Sequence, residues 1–166
     1  MFYKFFNSLD KLVHFNEAKA HCDIPCGIYD PHQAQLGALT VIRMIDLMKG
    51  LPADHHDGEL AYHNSLSRYI AVKEEHAELV KKEVRVIYGD FIKEEHLVKY
   101  PELQPLVFKI MKLGSKVRQG VERQDALDLL TAVNRFAEIF WEIKGIPTKK
   151  AKAPYAPAEE VVYPVL

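Results

Sequence analysis

The stretch DALDLLTAVNRFAEIFWEIKGIP, residues 125–147, decides the fold expected for this chain. Its apolar residues recur every three or four positions, as on one face of an α-helix, and the run stops at Gly-Ile-Pro. The residues that follow this period are Ala126, Leu129, Val133, Phe136, Phe140 and Ile143. We therefore predict a long amphipathic helix that begins at Asp125 as a capping residue and buries one face.

Three earlier segments have the same helical period. Their predicted bounds are Pro31 to Gly50, the end of the polar turn 54–58 to Gly89, and Pro101 to Gly120. Each apolar stripe requires a neighbouring stripe to cover it, so the four helices favour an antiparallel four-helix bundle. The sequence thus predicts an all-α fold, in which residues 90–100 form an irregular connection and no segment forms a β-strand.

The composition excludes two classes of partner. Lys+Arg 22 against Asp+Glu 23 gives a formal charge of -1, which removes the electrostatic attraction to nucleic acid. No run approaches the roughly 18 consecutive apolar residues that a membrane span requires. We expect one domain with tails, and neither a nucleic-acid nor a membrane partner.

Residues 1–20 differ from the predicted bundle. They begin with a cluster of aromatic residues and finish on Ala18-Lys19-Ala20, a small-x-small sequence of the kind that peptidases recognise. We predict a leader that a processing peptidase removes, although an amphipathic first helix is the alternative. The apolar stretch is too short for a clear secretory signal, so we expect a cytoplasmic protein and leave export open.

Residues 147–166 contain prolines and a pair of lysines, which disfavour a helix. We predict an extended, proline-rich C-terminal tail that follows a unit spanning residues 21–146. Its apolar residues are suited to packing on a neighbour, and they are Tyr155, Val161, Val162 and Tyr163.

Both cysteines lie in HCDIPCGIYDP, residues 21–31, between the leader and the first predicted helix. Cleavage after Ala20 would give His21 a free α-amine. That amine, the amide nitrogen and thiolate of Cys22, and the thiolate of Cys26 would form a plane of two nitrogens and two sulfurs. Ni(II) and Cu(II) prefer such a plane, whereas structural zinc prefers a tetrahedron. The imidazole of His21 is left to approach along the axis.

This segment resembles the N-terminal hook of the nickel-containing superoxide dismutases, whose pattern H-C-x-x-P-C-G-x-Y it matches throughout. A weaker similarity continues through KYPEL at 99–103 and IFWE at 139–142, and reaches Lys144. The resemblance implies one nickel ion per subunit, which cycles between Ni(II) and Ni(III) as superoxide is converted to oxygen and hydrogen peroxide. It also implies a homohexamer of four-helix bundles.

The same resemblance assigns a role to each residue of the hook. His21 gives the α-amine and the axial imidazole, Cys22 gives an amidate and a thiolate, and Cys26 gives the second thiolate. Tyr29 is the catalytic residue beside the open face of the metal, where its phenol holds water or the incoming anion. The backbone N–H groups of Asp23 and Cys26 help to position superoxide.

Three positions depart from the family pattern. Gly37 replaces an acidic residue that holds the axial imidazole in relatives, and His76 replaces an arginine of the same network. Phe91 replaces the second tyrosine of the substrate channel. These departures concern the surroundings of the metal and leave its donors intact.

Other functions remain open at this point. One is a protein that binds or delivers nickel or copper without turnover. Another is a thiol redox protein, although Cys22 and Cys26 lack the C-x-x-C spacing of thioredoxin-like enzymes. Four further histidines are interpreted as exposed surface residues and not as a second metal site: His55, His56, His63 and His96.

Overall fold

The computed structural model describes residues 27–52 and 58–166, and it confirms the four-helix bundle. The helices are α1 His32–Lys49, α2 Glu59–Val86, α3 Glu94–Lys99, α4 Leu103–Gln119 and α5 Arg123–Ile143. A π-helical turn, Ile87–Phe91, ends α2. The short α3 lies outside the bundle of four long helices. Within the described ranges, no helix combines the length and apolar content that crossing a bilayer requires.

Helix α5 provides the centre of the core. Ala126, Leu129 and Val133 are fully buried, and Phe136 and Phe140 are 1% exposed, as the helical period predicts. The predicted cap was wrong by three residues, because α5 begins at Arg123 and its N-cap residue is Glu122 and not Asp125. The carboxylate of Asp125 instead accepts a hydrogen bond of 2.7 Å from Lys116 Nζ.

The connection at 90–100 is not wholly irregular, because it contains α3. Its start is stabilised by His96, whose Nδ1 accepts the backbone N–H of Lys93 at 3.1 Å. Glu94 and Glu95 lie in the first turn, where acidic side chains favour the positive end of the helix dipole. A helix of this length shows no apolar period, so the sequence pattern did not reveal it.

The prediction that no segment forms a strand was wrong at the C-terminus. Strand β1, Thr148–Lys152, pairs antiparallel with β2, Glu160–Pro164, and Ala151 lies opposite Val161. Val161 and Val162 are 0% and 1% exposed, so the hairpin packs firmly on the helices. The prolines bound the strands or lie in the loop between them, where they remove no ladder hydrogen bond.

Lys73 is buried, although it belongs to the charged run Lys73-Glu74-Glu75, for which the sequence alone predicts a solvated face. Its ammonium group donates hydrogen bonds of 2.8 Å to the carbonyl oxygens of Val117, Arg118 and Gly120. These carbonyls end α4 and have no partner within the helix. Burial lowers the pKa of Lys73, but the three acceptors compensate the buried charge.

Candidate metal centre

The predicted metal ligands lie directly ahead of the described bundle. His21, Cys22, Asp23 and Cys26 fall outside the described residues, so their roles remain predictions. Gly27 follows Cys26 and has a φ of 91°, in the left-handed region that favours glycine. The backbone therefore makes a sharp turn at the residue that follows the second predicted thiolate.

The segment between this turn and α1 is fixed by local hydrogen bonds. Asp30 Oδ1 accepts the backbone N–H of His32 at 2.8 Å, as in an Asx turn. The carbonyl oxygen of Pro31 accepts the N–H groups of Ala34 at 3.0 Å and Gln35 at 3.2 Å. Asp30 and Pro31 thus set the direction in which the chain enters the bundle.

Tyr29 connects the predicted hook to the core. Its side chain is half-buried, and its ring centroid lies 5.7 Å from that of Phe91 at the end of the π-helical turn. Phe91 in turn contacts Phe140 of α5, with 4.9 Å between the ring centroids. This aromatic cluster fixes the ring of Tyr29, which follows Cys26 by three residues in the sequence.

Two residues that sequence reasoning did not assign also meet Phe91. His96 stacks on the Phe91 ring at 5.9 Å, and its side chain is 18% exposed, so its interpretation as a surface residue was wrong. Lys144 Nζ lies 5.6 Å from the centroid of Phe91 and 5.3 Å from that of Phe140. The sequence places Lys144 at the end of α5, three residues after Trp141. It does not show which aromatic rings Lys144 contacts, because those contacts depend on the tertiary structure.

Gly37 and His76 meet at one contact between α1 and α2. A Cβ built on Gly37 would lie 2.9 Å from Val80 Cγ2 and 3.1 Å from the carbonyl oxygen of His76. Nδ1 of His76 is 2.9 Å from the carbonyl oxygen of Val72, one turn earlier in α2. The absence of a side chain at Gly37 therefore lets the two helices approach closely, and an acidic residue there would require them to move apart.

The chemistry of the donors fits nickel. Among residues 27–52 and 58–166, no three His, Cys, Asp or Glu side chains are placed to hold a metal ion. The candidate centre predicted from the sequence is the segment from His21 to Cys26, which combines thiolates with nitrogen donors. Such mixed sets suit nickel and copper better than the oxygen ligands that magnesium and calcium require.

The model of one protein family matches residues 16–144, and that family is the nickel-containing superoxide dismutases. A superoxide dismutase [Ni] of Streptomyces coelicolor is 37% identical over 128 residues, covering 75% of this chain and 88% of that protein. A superoxide dismutase [Ni] of Streptomyces seoulensis is 34% identical over 131 residues, covering 77% of this chain and 91% of that protein.

Solved structures agree with these relatives. The native structure of a nickel superoxide dismutase at 1.30 Å superimposes with a TM-score of 0.65 and 35% identity. The match covers 75% of this chain and 99% of the chain in that structure. An apo structure of a nickel superoxide dismutase has a TM-score of 0.63 and 32% identity, covering 72% of this chain and 99% of its own. This chain therefore belongs to the family of nickel-containing superoxide dismutases.

Proposed function

We propose that the mature chain converts superoxide to oxygen and hydrogen peroxide with a nickel ion held by His21, Cys22 and Cys26. Membership of the family makes the chain an oxidoreductase with nickel as its cofactor. The assignment of the ligands is supported by the complete hook pattern at 21–29. The single observation that carries it is the packing of Tyr29, the last residue of that pattern, against Phe91.

Removal of residues 1–20 creates one of the proposed ligands. An unperturbed α-amine has a pKa of about 7.7 to 8.0, so a metal ion can displace its proton near neutral pH. In the uncleaved chain the same nitrogen is part of a peptide bond after Ala20 and cannot serve. A processing peptidase is therefore a required partner of the precursor.

Some residues of the proposed site bind the metal, and others bind the substrate. Bound nickel would supply the one-electron chemistry. Thiolate and amidate ligands donate electrons strongly and stabilise Ni(III), which would bring the Ni(III)/Ni(II) reduction potential to a value at which superoxide can both reduce and oxidise the metal. Tyr29 holds water or superoxide by a hydrogen bond from its phenol, and the N–H groups of Asp23 and Cys26 orient the anion. Phe91 gives Tyr29 an apolar wall without a second hydroxyl group.

Lys144 adds a positive charge beside Phe91. Its Nζ lies over the rings of Phe91 and Phe140, so a cation is held close to the residue that packs on Tyr29. Superoxide is an anion, and a local positive potential raises the rate at which anions arrive. We therefore assign Lys144 to attraction of the substrate.

We propose that the mature subunit forms a homohexamer in the cytoplasm. The family resemblance supports the hexamer, and so do large apolar side chains on the surface of the single subunit. Val98 is 84% exposed and Phe108 is 64% exposed, and exposed apolar groups of this size are common at subunit contacts. Light scattering on the purified mature chain tests the proposal, because a monomer would contradict it.

One experiment separates this enzyme from a nickel or copper delivery protein. The chain that begins at His21 is loaded with Ni(II), Cu(II) or Zn(II), and bound metal and superoxide loss are measured on the same samples. We expect turnover with nickel and with neither other metal. Stoichiometric nickel without turnover would instead favour delivery, as expected if Gly37 and His76 leave the axial imidazole without support.

A further inference from the structure

The C-terminal hairpin is an addition to the part of the chain that relatives share. The family model ends its match at residue 144, whereas the strands occupy Thr148–Lys152 and Glu160–Pro164. A native nickel superoxide dismutase of known structure is matched over 99% of its length by 75% of this chain, so part of this chain extends beyond the match. The hairpin therefore needs an explanation specific to this protein.

Two buried amide side chains fasten β2 to the bundle. Gln35 of α1 is 1% exposed, and its Nε2 donates to the carbonyl oxygen of Val162 at 3.1 Å and to Asn134 Oδ1 at 2.9 Å. Asn134 Nδ2 of α5 donates to the carbonyl oxygen of Glu160 at 2.8 Å. The side chains of two helices thus bind the backbone of one strand.

These amides act on the edge of β2 that faces away from β1. The bonds from Ala153 N to the Glu159 carbonyl and from Val165 N to the Pro147 carbonyl show that odd-numbered residues of this segment pair with β1. The carbonyls of Glu160 and Val162 therefore point to the opposite edge. Gln35 and Asn134 satisfy them as a third strand would.

Charged contacts attach the same hairpin at its other end. Arg123 Nε donates to Asp46 Oδ1 of α1 at 2.8 Å, and Arg123 Nη2 donates to Glu159 Oε1 at 2.8 Å. The ring of Tyr163 lies 6.1 Å from that of His32, the first residue of α1. The hairpin thus contacts α1 directly at its first turns and reaches its last turns through Arg123.

We propose that the C-terminal hairpin is a clamp that holds the first turn of α1, and with it the segment 27–31 that leads out of the metal hook. Gln35 is the positioning residue, because its backbone N–H bonds the Pro31 carbonyl while its side chain bonds β2. Tyr29 fixes the segment on the side of Phe91, and the clamp fixes it on the side of α1. The consequence for nickel rests on the function proposed above, whereas the clamp itself does not.

Amide hydrogen exchange in the metal-free chain that begins at His21 tests the clamp without any metal chemistry. Gln35→Met keeps the volume of the side chain and removes both donors. We expect at least tenfold faster exchange at residues 32–35 and 160–163, with unchanged exchange in the core of α5. The matched control is Gln124→Met, because Gln124 is exposed and bonds only Asp128 of its own helix.

A second variant covers the case in which Gln35→Met fails to fold. Tyr163→Ala removes the ring that faces His32 and the hydrogen bond between the phenols of Tyr163 and Tyr155. Tyr155 is 45% exposed, so water can replace that bond. We expect about threefold faster exchange at residues 32–35 in this variant. Faster exchange in the hairpin with unchanged exchange at 32–35, in whichever variant folds, would overturn the clamp.

The effect on the metal is measured by the rate at which a chelator removes nickel. We expect nickel loss from Gln35→Met to be at least tenfold faster than from the wild type, and unchanged in Gln124→Met. Equal rates in Gln35→Met and the wild type would overturn the link between clamp and hook. A wild-type chain that binds no nickel would overturn the proposed function instead, and the exchange result would still decide the clamp.

Discussion

The carbonyl oxygen of His76 lies 3.1 Å from the point that a Cβ on Gly37 would occupy. Helices α1 and α2 are therefore in close contact at the two positions predicted to depart from the family pattern. Because Gly37 has no side chain, the backbones of the two helices can approach each other here. Both positions lie on helices that the structure describes, so this contact can be tested independently of nickel.

Gly37→Ala should destabilise the fold. The added methyl group would meet Val80 Cγ2 at 2.9 Å and the backbone of His76, which cannot rotate away. Overpacking of this kind costs about 1–3 kcal/mol in the free energy of unfolding. Denaturant unfolding measures the loss, and Gly89→Ala is the control because its Cβ would meet no atom within 4 Å. Equal stability of the two variants would contradict close packing at Gly37.

Lys73→Met should lower the free energy of unfolding more than the same change at an exposed lysine. It would leave the carbonyl oxygens of Val117, Arg118 and Gly120 without the donor that now bonds them at 2.8 Å. Because these buried acceptors would be left unsatisfied, we expect the free energy of unfolding to fall by about 3 kcal/mol. Lys82→Met, on the exposed face of the same helix, provides the comparison. Similar midpoints of denaturation for both variants would exclude a stabilising role of Lys73.

Acid should loosen the hairpin through Glu138. Burial raises the pKa of Glu138, but hydrogen bonds from Lys150 and Arg135 outweigh that effect and hold it below its ordinary value of 4.5. A carboxylate with a lowered pKa stabilises the fold fully above the unfolded value, and this contribution is lost as the pH falls through the folded value.

We therefore expect hydrogen exchange in the hairpin, compared at equal chemical exchange rate, to increase when the pH is lowered from 5 to 3. Glu138→Gln should reduce this acid sensitivity, because an amide does not titrate. Glu142→Gln, which keeps the bond between Lys150 and Glu138 at 2.9 Å, is the control. An unchanged acid response in Glu138→Gln would show that another group controls the hairpin.

Cys22→Ser and Cys26→Ser should each abolish superoxide turnover and weaken nickel binding by at least a hundredfold. A hydroxyl group does not replace thiolate donation to a late transition metal. The far-UV circular dichroism should not change, because both positions precede α1. His63→Ala, whose side chain is 60% exposed on α2, is the control. Full activity in either serine variant would remove that cysteine from the ligand set.

The bundle could be predicted from the sequence because its helices are long enough to show several apolar turns. The buried residues of α5 follow the period from Ala126 to Phe140, whereas α3 is one short segment without such a period. The hairpin was missed because only the two adjacent apolar residues Val161 and Val162 mark β2 in a segment that contains several prolines. Its stability comes from Gln35 and Asn134, which are distant in sequence.

The sequence predicts the candidate site from residues that lie close together along the chain. Two cysteines, a histidine and the run Pro-Cys-Gly within nine residues carry this prediction, and the predicted ligands lie outside the described residues. The packing of His96 and Lys144 on Phe91 required the fold, since their elements are joined only in three dimensions. Burial of Lys73 was likewise hidden, because its carbonyl partners lie at the end of another helix.

The proposed role of His21 is tested by the rate of superoxide loss in two nickel-treated samples, the chain trimmed to His21 and the same chain retaining residues 1–20. We expect nickel-dependent turnover in the trimmed chain only, because only there is the α-amine of His21 free to bind the metal. Equal turnover by a verified uncleaved chain, or no nickel-dependent turnover after trimming, would contradict this role.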